Sequence, residues 1–224
     1  MSTHTALQTL LNDRYSCRSY KPVSVSRKVI ETILLDAGRA PSWCNFQPWQ
    51  VHVTSGEGTE AFRNAMLKAF DTTEPEADYF YPTTYTDVRK KRAQTCGYQL
   101  YNALGIERHD REGRKDQMRK NFSFFGAPHI AVITSHKELG PYGALDCGGF
   151  ITSFCLSAQA QGVATVPQAS IAYYADAVRQ HMSVPDDQLV LAAISFGYAD
   201  HDHAANNFRT ERATLDEMVA WHDE

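Results

Sequence analysis

Two stretches of this chain carry side chains able to do chemistry. The first is Arg14-Tyr15-Ser16-Cys17-Arg18, with two guanidiniums four residues apart and a hydroxyl between them. A guanidinium offers a planar fork of N–H donors that matches phosphate or carboxylate oxygens, so this spacing suits an anion such as a phosphate. Arginine and serine are also ordinary surface residues, so the segment alone leaves a solvated face open. The second is Arg39-Ala40-Pro41-Ser42-Trp43-Cys44-Asn45-Phe46-Gln47-Pro48-Trp49. Asn45 and Gln47 can each donate and accept hydrogen bonds. Together with the flat indoles of Trp43 and Trp49 they suit a flat heteroaromatic ligand. A packed corner whose amides cap backbone groups is the competing reading, and this stretch by itself does not choose.

Other constellations are weaker. His201-Asp202-His203 sets two imidazoles at i and i+2, on one side of an extended segment, but no nearby cysteine or glutamate completes a metal shell. No metal is expected. Gly56-Glu57-Gly58-Thr59-Glu60-Ala61 matches a loose dinucleotide fingerprint. The unit it belongs to needs a second parallel strand after the helix, and residues 71–85 are polar and aromatic with two prolines. Cys44 or Cys147 with a distant histidine could form a thiol nucleophile, yet nothing in the sequence fixes such a pair. The Gly-x-Ser-x-Gly pattern of many serine hydrolases is absent from the sequence.

The elements that must position these residues follow from periodicity. Ala6, Leu7, Leu10 and Leu11 predict a short first helix ending near Asp13. Ser24 or Ser26 caps a second, with Val29, Ile30, Ile33, Leu34 and Ala37 on its buried face. Pro41 stops it, because the residue before a proline avoids helical angles. Gln50 to Thr54 reads as a strand. Phe62, Ala65, Met66, Ala69 and Phe70 mark a third helix. Residues 72–86 form a tyrosine-rich loop, and 87–105 form a helix with Val88, Ala93, Cys96, Leu100, Tyr101 and Leu104 facing inward. Residues 107–120 are charged and exposed. His129 to Thr134 is an apolar, central strand. Residues 145–161 form a helix whose Gly148-Gly149 pair suits a close approach by another backbone or a ring, and Gly162 ends it. A short strand and turn from Val163 to Ser170, a helix over 172–182 and a strand over 189–198 complete the pattern.

The order Arg14-x-Ser16-x-Arg18, amphipathic helix, Ala40-Pro41-Ser42-x-x-Asn45-x-Gln47-Pro48-Trp49, strand resembles the nitroreductase family of flavin enzymes. Three later marks agree: Asn121 ahead of Ala127-Pro128 and a central strand; helix, Gly162, strand, Pro167; and a strand ending in Gly197-Tyr198, followed by a tail with Arg209, Arg212 and Leu215. The resemblance implies an α+β fold, with a central mixed sheet flanked by helices and two subunits intertwined as a homodimer around FMN. Residues 1–224 then form one domain, whose middle segment, about 72–120, covers the pocket. Arg14, Ser16 and Arg212, with Arg209 as second candidate, would hold the phosphate end, and Tyr15 would also bind the cofactor. Arg18 would lie near the N1/O2 edge of the ring. Ser42, Trp43, Asn45 and Gln47 would contact ring or ribityl, Pro41 would also bind the cofactor, and Asn121 would meet the ring edge. The backbone of Gln168, Ala169 and Ser170, after Pro167, would lie along the edge carrying N5. Many relatives have Ile/Leu-Gly-Gly or an acidic residue there, which makes any side-chain role of this Gln-Ala-Ser doubtful.

No catalytic side chain is required, because flavin N5 carries the chemistry. NADPH or NADH would reduce the flavin, and a small flat aromatic acceptor would reoxidise it on the same face, giving ping-pong kinetics. The implied acceptors are nitroaromatics or quinones, and the middle segment resembles a branch acting on nitrobenzoates and dinitroanilines. The same scaffold with quinone reductase, reductive dehalogenase or flavin-cleaving activity is one alternative, and a non-catalytic flavin-binding protein is another. Composition is that of an ordinary soluble globular protein: 224 residues, 43% hydrophobic, net charge -4. An acidic chain is a poor nucleic-acid binder. No apolar run reaches the roughly 20 residues a membrane span needs. The first residues lack a signal-peptide pattern, and five cysteines with no paired spacing suit reduced thiols in a cytoplasm.

Overall fold

The computed structural model describes residues 2–223. Helices α1 (Thr3–Asp13) and α2 (Arg27–Ala37) precede strand β1 (Gln50–Ser55). Helices α3 (Glu57–Thr72), α4 (Asp87–Ala103) and α5 (Arg111–Arg119) lead to β2 (His129–His136). Then come α6 (Gly140–Ala160), β3 (Ala164–Gln168), α7 (Ala175–Met182), β4 (Gln188–Gly197) and the short α8 (Leu215–Met218). The α+β architecture is the expected one. Ser26 is the cap of α2, its hydroxyl accepting the Val29 N–H, and Ile30, Ile33 and Ala37 turn inward.

The sheet has the order β1-β2-β4-β3, and every ladder in it is antiparallel. The expected mixed character is confined to its edge, where Ser16 and Thr165 make a single parallel bridge. Side chains alternate across β2, as the pleat demands. Ile130 and Val132 join Phe62, Met66 and Val178 on one face. Ala131 and Ile133 join Ile33, Phe150 and Phe154 on the other. Both faces are therefore covered, by α3 and α7 on one side and α2 and α6 on the other. At Gly197 an added Cβ would meet Pro128 at 2.6 Å, so the end of β4 admits only glycine.

Three expectations need correction. The helix foreseen over 145–161 starts at Gly140, with Pro141 in its first turn, where a missing N–H costs nothing. The helix foreseen over 172–182 starts at Ala175, because residues Ala169–Tyr173 form a 3-10 turn instead. In α4 the residues foreseen as inward are not buried; none in this helix is, and Val88 is exposed. Among the described residues neither core cluster includes a side chain of that helix, so its periodicity had no core to face.

His129 ties the start of β2 to two other segments. Its Nε2 accepts the Val25 N–H at 2.9 Å, which leaves the proton on Nδ1, beside Ser55 Oγ at 2.9 Å. Burial lowers its pKa from 6.5. A protonated ring would set donor against donor at Val25. Stability from this group is therefore fully present above 6.5 and is lost as the pH falls below it, because only the unfolded chain then gains the proton. Urea unfolding at about pH 7.5 and about pH 5.5 should show a fall in stability that is smaller in His129→Gln. An equal fall in both proteins would exclude His129 as its source.

Candidate functional site

Residues 14–18 run beside β3, with the Cys17 N–H donating to Thr165 O at 3.0 Å. Side chains of an extended segment alternate. Cys17 is fully buried, and Tyr15 packs against the same core. Arg14, Ser16 and Arg18 are thereby turned the other way, into a cleft of about 230 Å³. The opposite wall comes from the far end of the chain, as Phe208, Arg209, Thr210 and Arg212.

Asn206 joins the two ends. Its Oδ1 accepts the Arg18 N–H at 2.8 Å, and its Nδ2 donates to Ser19 O at 2.9 Å and Asp200 O at 2.8 Å. It is buried, at 4% exposure. Beyond it the Arg209 guanidinium lies 3.8 Å from the Tyr15 ring centre, and that of Arg18 lies 5.8 Å from the Phe208 ring. Arg212 is held in shape by Thr210, whose Oγ1 it reaches at 2.8 Å.

Arg14, Arg18, Arg209 and Arg212 therefore line one cleft. Among the described residues none of them has a carboxylate within 4.0 Å, whereas Arg27, Arg63, Arg92, Arg119 and Arg179 each have one. Unpaired cations crowded into one cleft repel each other, and a multiply charged anion relieves that repulsion. Burial lowers the pKa of Arg18. Burial also pushes the Tyr15 phenol up to about 12, with the nearby Cys17 adding to the rise, so it stays a neutral donor. The Tyr15 hydroxyl is buried without a partner.

The loop at 41–47 lies elsewhere and lines no part of this cleft. Cys44, Asn45 and Gln47 all have positive φ, at 50°, 57° and 50°. Such conformations cost about 1–3 kcal/mol each for a non-glycine residue and gather at functional sites. Asp146 accepts the Trp43 N–H at 3.0 Å, and Ser42 Oγ accepts the Gln47 N–H at 2.9 Å. Gln47 Nε2 turns back onto Asn45 O, so part of the amide surface does cap backbone, as the competing reading held. The Asn45 carboxamide makes no hydrogen bond among the described residues. Pro41 is exposed, and Trp43 is 54% exposed, with Tyr142 at 4.7 Å between ring centres.

A third group surrounds the end of β3. Gln168 is buried, its Oε1 accepting from Ser195 and its Nε2 donating to Asn121 O at 2.9 Å. Asn121 Nδ2 donates to Met118 O at 3.0 Å, and its Oδ1 lies 3.4 Å from Gln168 Nε2. Pro167 is exposed, and the buried Ser170 Oγ has no partner. Ala169 opens onto an apolar cleft of about 300 Å³, with Tyr79, Phe80, Tyr81, Tyr173 and Gly148. This is where the loop after α3 meets α6. Gly148 has open space above it, whereas a Cβ at Gly149 would meet the Ala40 Cβ of the same chain at 4.0 Å.

The competing chemistries find no support. Burial pushes the Cys147 thiol up to about 12, away from a nucleophilic thiolate. His203 Nδ1 accepts the Ala205 N–H at the start of a 3-10 turn. Among the described residues no group of three or more metal-binding side chains occurs. Sequence reasoning missed Asn206, Phe208 and Thr210. Asn206 lies in an aperiodic polar loop, and no pattern in the sequence marks it as buried.

The family model described as Nitroreductase family matches residues 11–198. The chain belongs to the nitroreductase family. It is 33% identical to a 4-nitrobenzoate reductase of Nocardioides sp., over 98% of this chain and 92% of that one. It is also 33% identical to the nitroreductase NfnB of Mycolicibacterium smegmatis, over 96% of this chain and 92% of that one. The crystal structure of an FMN-dependent NfnB from Mycobacterium smegmatis in complex with NADPH superposes with a TM-score of 0.94, at 32% identity, over 99% of this chain and 100% of that one. In this nitroreductase family member Asn206, Arg209 and Arg212 lie beyond the matched residues, and Asn206 is what ties the tail wall of the cleft to Arg18 and Ser19. Asn206→Leu leaves the Arg18 N–H without its acceptor and should cost about 1–3 kcal/mol. It should also expose the tail to limited proteolysis. Unchanged urea stability with an unchanged digestion pattern would show that the clamp does not hold the tail.

Proposed function

We propose that this chain is an FMN-dependent oxidoreductase that takes electrons from NAD(P)H and passes them to nitroaromatic acceptors. The observation that carries the reading is the cleft with four arginines from both ends of the chain, none of which has a carboxylate within 4.0 Å among the described residues. A phosphate monoester dianion fits that donor set, and Arg14, Arg212 and Ser16 would hold it with charge-assisted bonds. Arg18, drawn inward by Asn206, would place positive charge beside the ring. When bound, FMN supplies two-electron transfer at its N5. The chain's own work is to grip the phosphate, set the local charge and leave one ring face open. The similarity to proteins named as FMN-dependent, in complex with NADPH, or as 4-nitrobenzoate reductase supports this choice of cofactor, donor and acceptor class.

The apolar cleft at Ala169, walled by Tyr79, Phe80, Tyr81 and Tyr173, is the acceptor site in this reading, and the middle segment of the chain is its cover. Donor and acceptor would use it in turn, giving ping-pong kinetics. The backbone of Gln168, Ala169 and Ser170 and the side chain of Asn121 would border the ring, the latter through Gln168. The strained loop with Pro41, Ser42, Trp43, Asn45 and Gln47 does not reach the cleft of its own chain, so a second copy would supply it. The exposed side chains of Trp43, Phe46, Tyr142 and Leu145 suit burial against that copy. Five free cysteines suit a reducing cytoplasm, and no helix among the described residues is long and apolar enough to cross a membrane.

The purified protein should be yellow, bleach with NADPH or NADH without oxygen, and recover its colour with a nitroarene. A colourless protein, or a yellow one that neither nicotinamide reduces, would end this reading. Arg212→Ala should weaken FMN retention by roughly tenfold or more in equilibrium dialysis. Unchanged retention would remove the phosphate role. Light scattering should give the mass of a dimer, and Leu145→Glu should shift it toward the monomer, since an unpaired charge would enter the interface. A wild-type monomer that retains FMN would overturn the two-chain site.

A further inference from the structure

We infer that Asp78 is a positioning residue that fixes the spacing of two walls of the apolar cleft, and with it the size of aromatic acceptor the enzyme takes. This rests on the reading of that cleft as the acceptor site. Two stretches far apart in sequence line it together. One is the loop after α3, with Ala77, Tyr79 and Tyr81. The other is the start of β4, with Val190, Leu191 and Ala192. Asp78 stands within the first stretch and reaches the second. Its Oδ2 accepts the Val190 N–H at 2.8 Å and also accepts from Arg179 Nη2 at 2.9 Å.

The sheet leaves this part of β4 in need of a partner. The ladder with β3 ends at Ala193, so residues 190–192 have no neighbour from that strand. The register with β2 slips by one residue between Ala192 and Val190, which makes Leu191 the extra residue of a bulge. Val190 is buried, and a buried N–H without an acceptor is costly, so the Asp78 carboxylate fills a real deficit. The Asp78 side chain is 16% exposed and that of Arg179 18%, so neither charge is well solvated and each needs the other. The same Arg179 nitrogen also donates to Gln188 O at 3.1 Å, where β4 begins. One ion pair therefore joins the loop, α7 and β4.

The loop has other holds, and they do not reach β4. The Glu76 N–H donates to Tyr173 O at 2.7 Å, and the Tyr81 ring centre lies 4.4 Å from that of Tyr173. Among the described hydrogen bonds and ion pairs, Asp78 makes the one direct link from residues 73–86 to residues 188–192. Without it the loop keeps its attachment at Tyr173 but loses its fixed distance from β4. The cleft then opens to a larger ring.

Hydrogen exchange on the purified protein reads this hold without turnover. The amides of Val190 and of residues 79–81 should exchange about tenfold faster or more in Asp78→Ala. Asp78→Asn keeps an oxygen for the Val190 N–H but loses the charge facing Arg179, so it should fall between. The ratio of kcat/KM for 1-nitronaphthalene to that for nitrobenzene should rise in the same order, by about threefold or more in Asp78→Ala. A role in stability alone would lower both acceptors together. A fixed ratio, or unchanged exchange at Val190, would therefore overturn the inference. If Asp78→Ala does not fold, Asp78→Asn decides by the same two readouts. Asp71→Asn removes the exposed pair with Arg119 at the end of α3 and should change neither, and an equal shift there would also overturn the inference. A yellow protein whose ratio does not move ends this inference and leaves the FMN reading intact. A colourless protein ends the FMN reading, while exchange at Val190 still reports whether Asp78 holds the two walls.

Discussion

The carboxamide of Asn206 holds together parts of the chain that are 188 residues apart, through its bond to the Arg18 N–H. It satisfies three backbone groups at once, and two of these belong to the segment carrying Arg18 and Ser19. A buried carboxamide whose oxygen and nitrogen are both engaged specifies geometry, because a shift would leave part-buried backbone donors and acceptors unpaired. The position of Arg209 and Arg212 opposite Arg14 and Arg18 follows from that one joint. Nothing else among the described hydrogen bonds links residues 206–212 to residues 14–19.

The sheet supplies the rigid half of the arrangement. Residues 14–18 borrow the edge of β3 through the Cys17 bond to Thr165, and β3 is fixed in turn by its ladder with β4. A cation cluster needs such a base, since mutual repulsion would otherwise spread the side chains into solvent. The tail has far less beneath it. It meets α4 through the exposed Arg92–Glu217 pair and a 3.4 Å bond from Gln99, and α4 buries no residue in the single chain. Few buried contacts mean a low free energy of local opening. The cleft therefore has one wall built on the sheet and one wall held by fewer contacts.

Strain is concentrated in two loops. Cys44, Asn45 and Gln47 in one, and Phe124 and Phe125 in the other, occupy the left-handed region. The second follows Asn121, whose backbone and side chain receive Gln168. Both loops are anchored from outside, by Asp146 in the first case and by Arg63 in the second, whose guanidinium reaches Ser123 O and Ala127 O. Conformations this unfavourable persist when neighbours over-determine them, and the anchors do so here.

The sequence by itself determined the elements and the chemical types. The 3.6-residue pattern of Ile30, Ile33 and Ala37, the apolar run from Ile130 to Ile133 and the stop at Gly162 are local signals, written within one turn or one strand. The arginine and hydroxyl spacing at 14–18 was equally local, and so were the prolines and amides of the loop at 41–47. Only the tertiary structure decided which of these share a site. It joined Arg209 and Arg212 to Arg14, Ser16 and Arg18, left the loop at 41–47 apart, and engaged Asn121 with Gln168 and Met118. It also turned the stripe of α4 toward the tail rather than a core. Periodicity records which residues lie on one face of an element. What that face meets depends on contacts between distant parts of the chain, and a carboxamide such as Asn206, buried in an aperiodic loop, leaves no trace of its partners in the residues beside it.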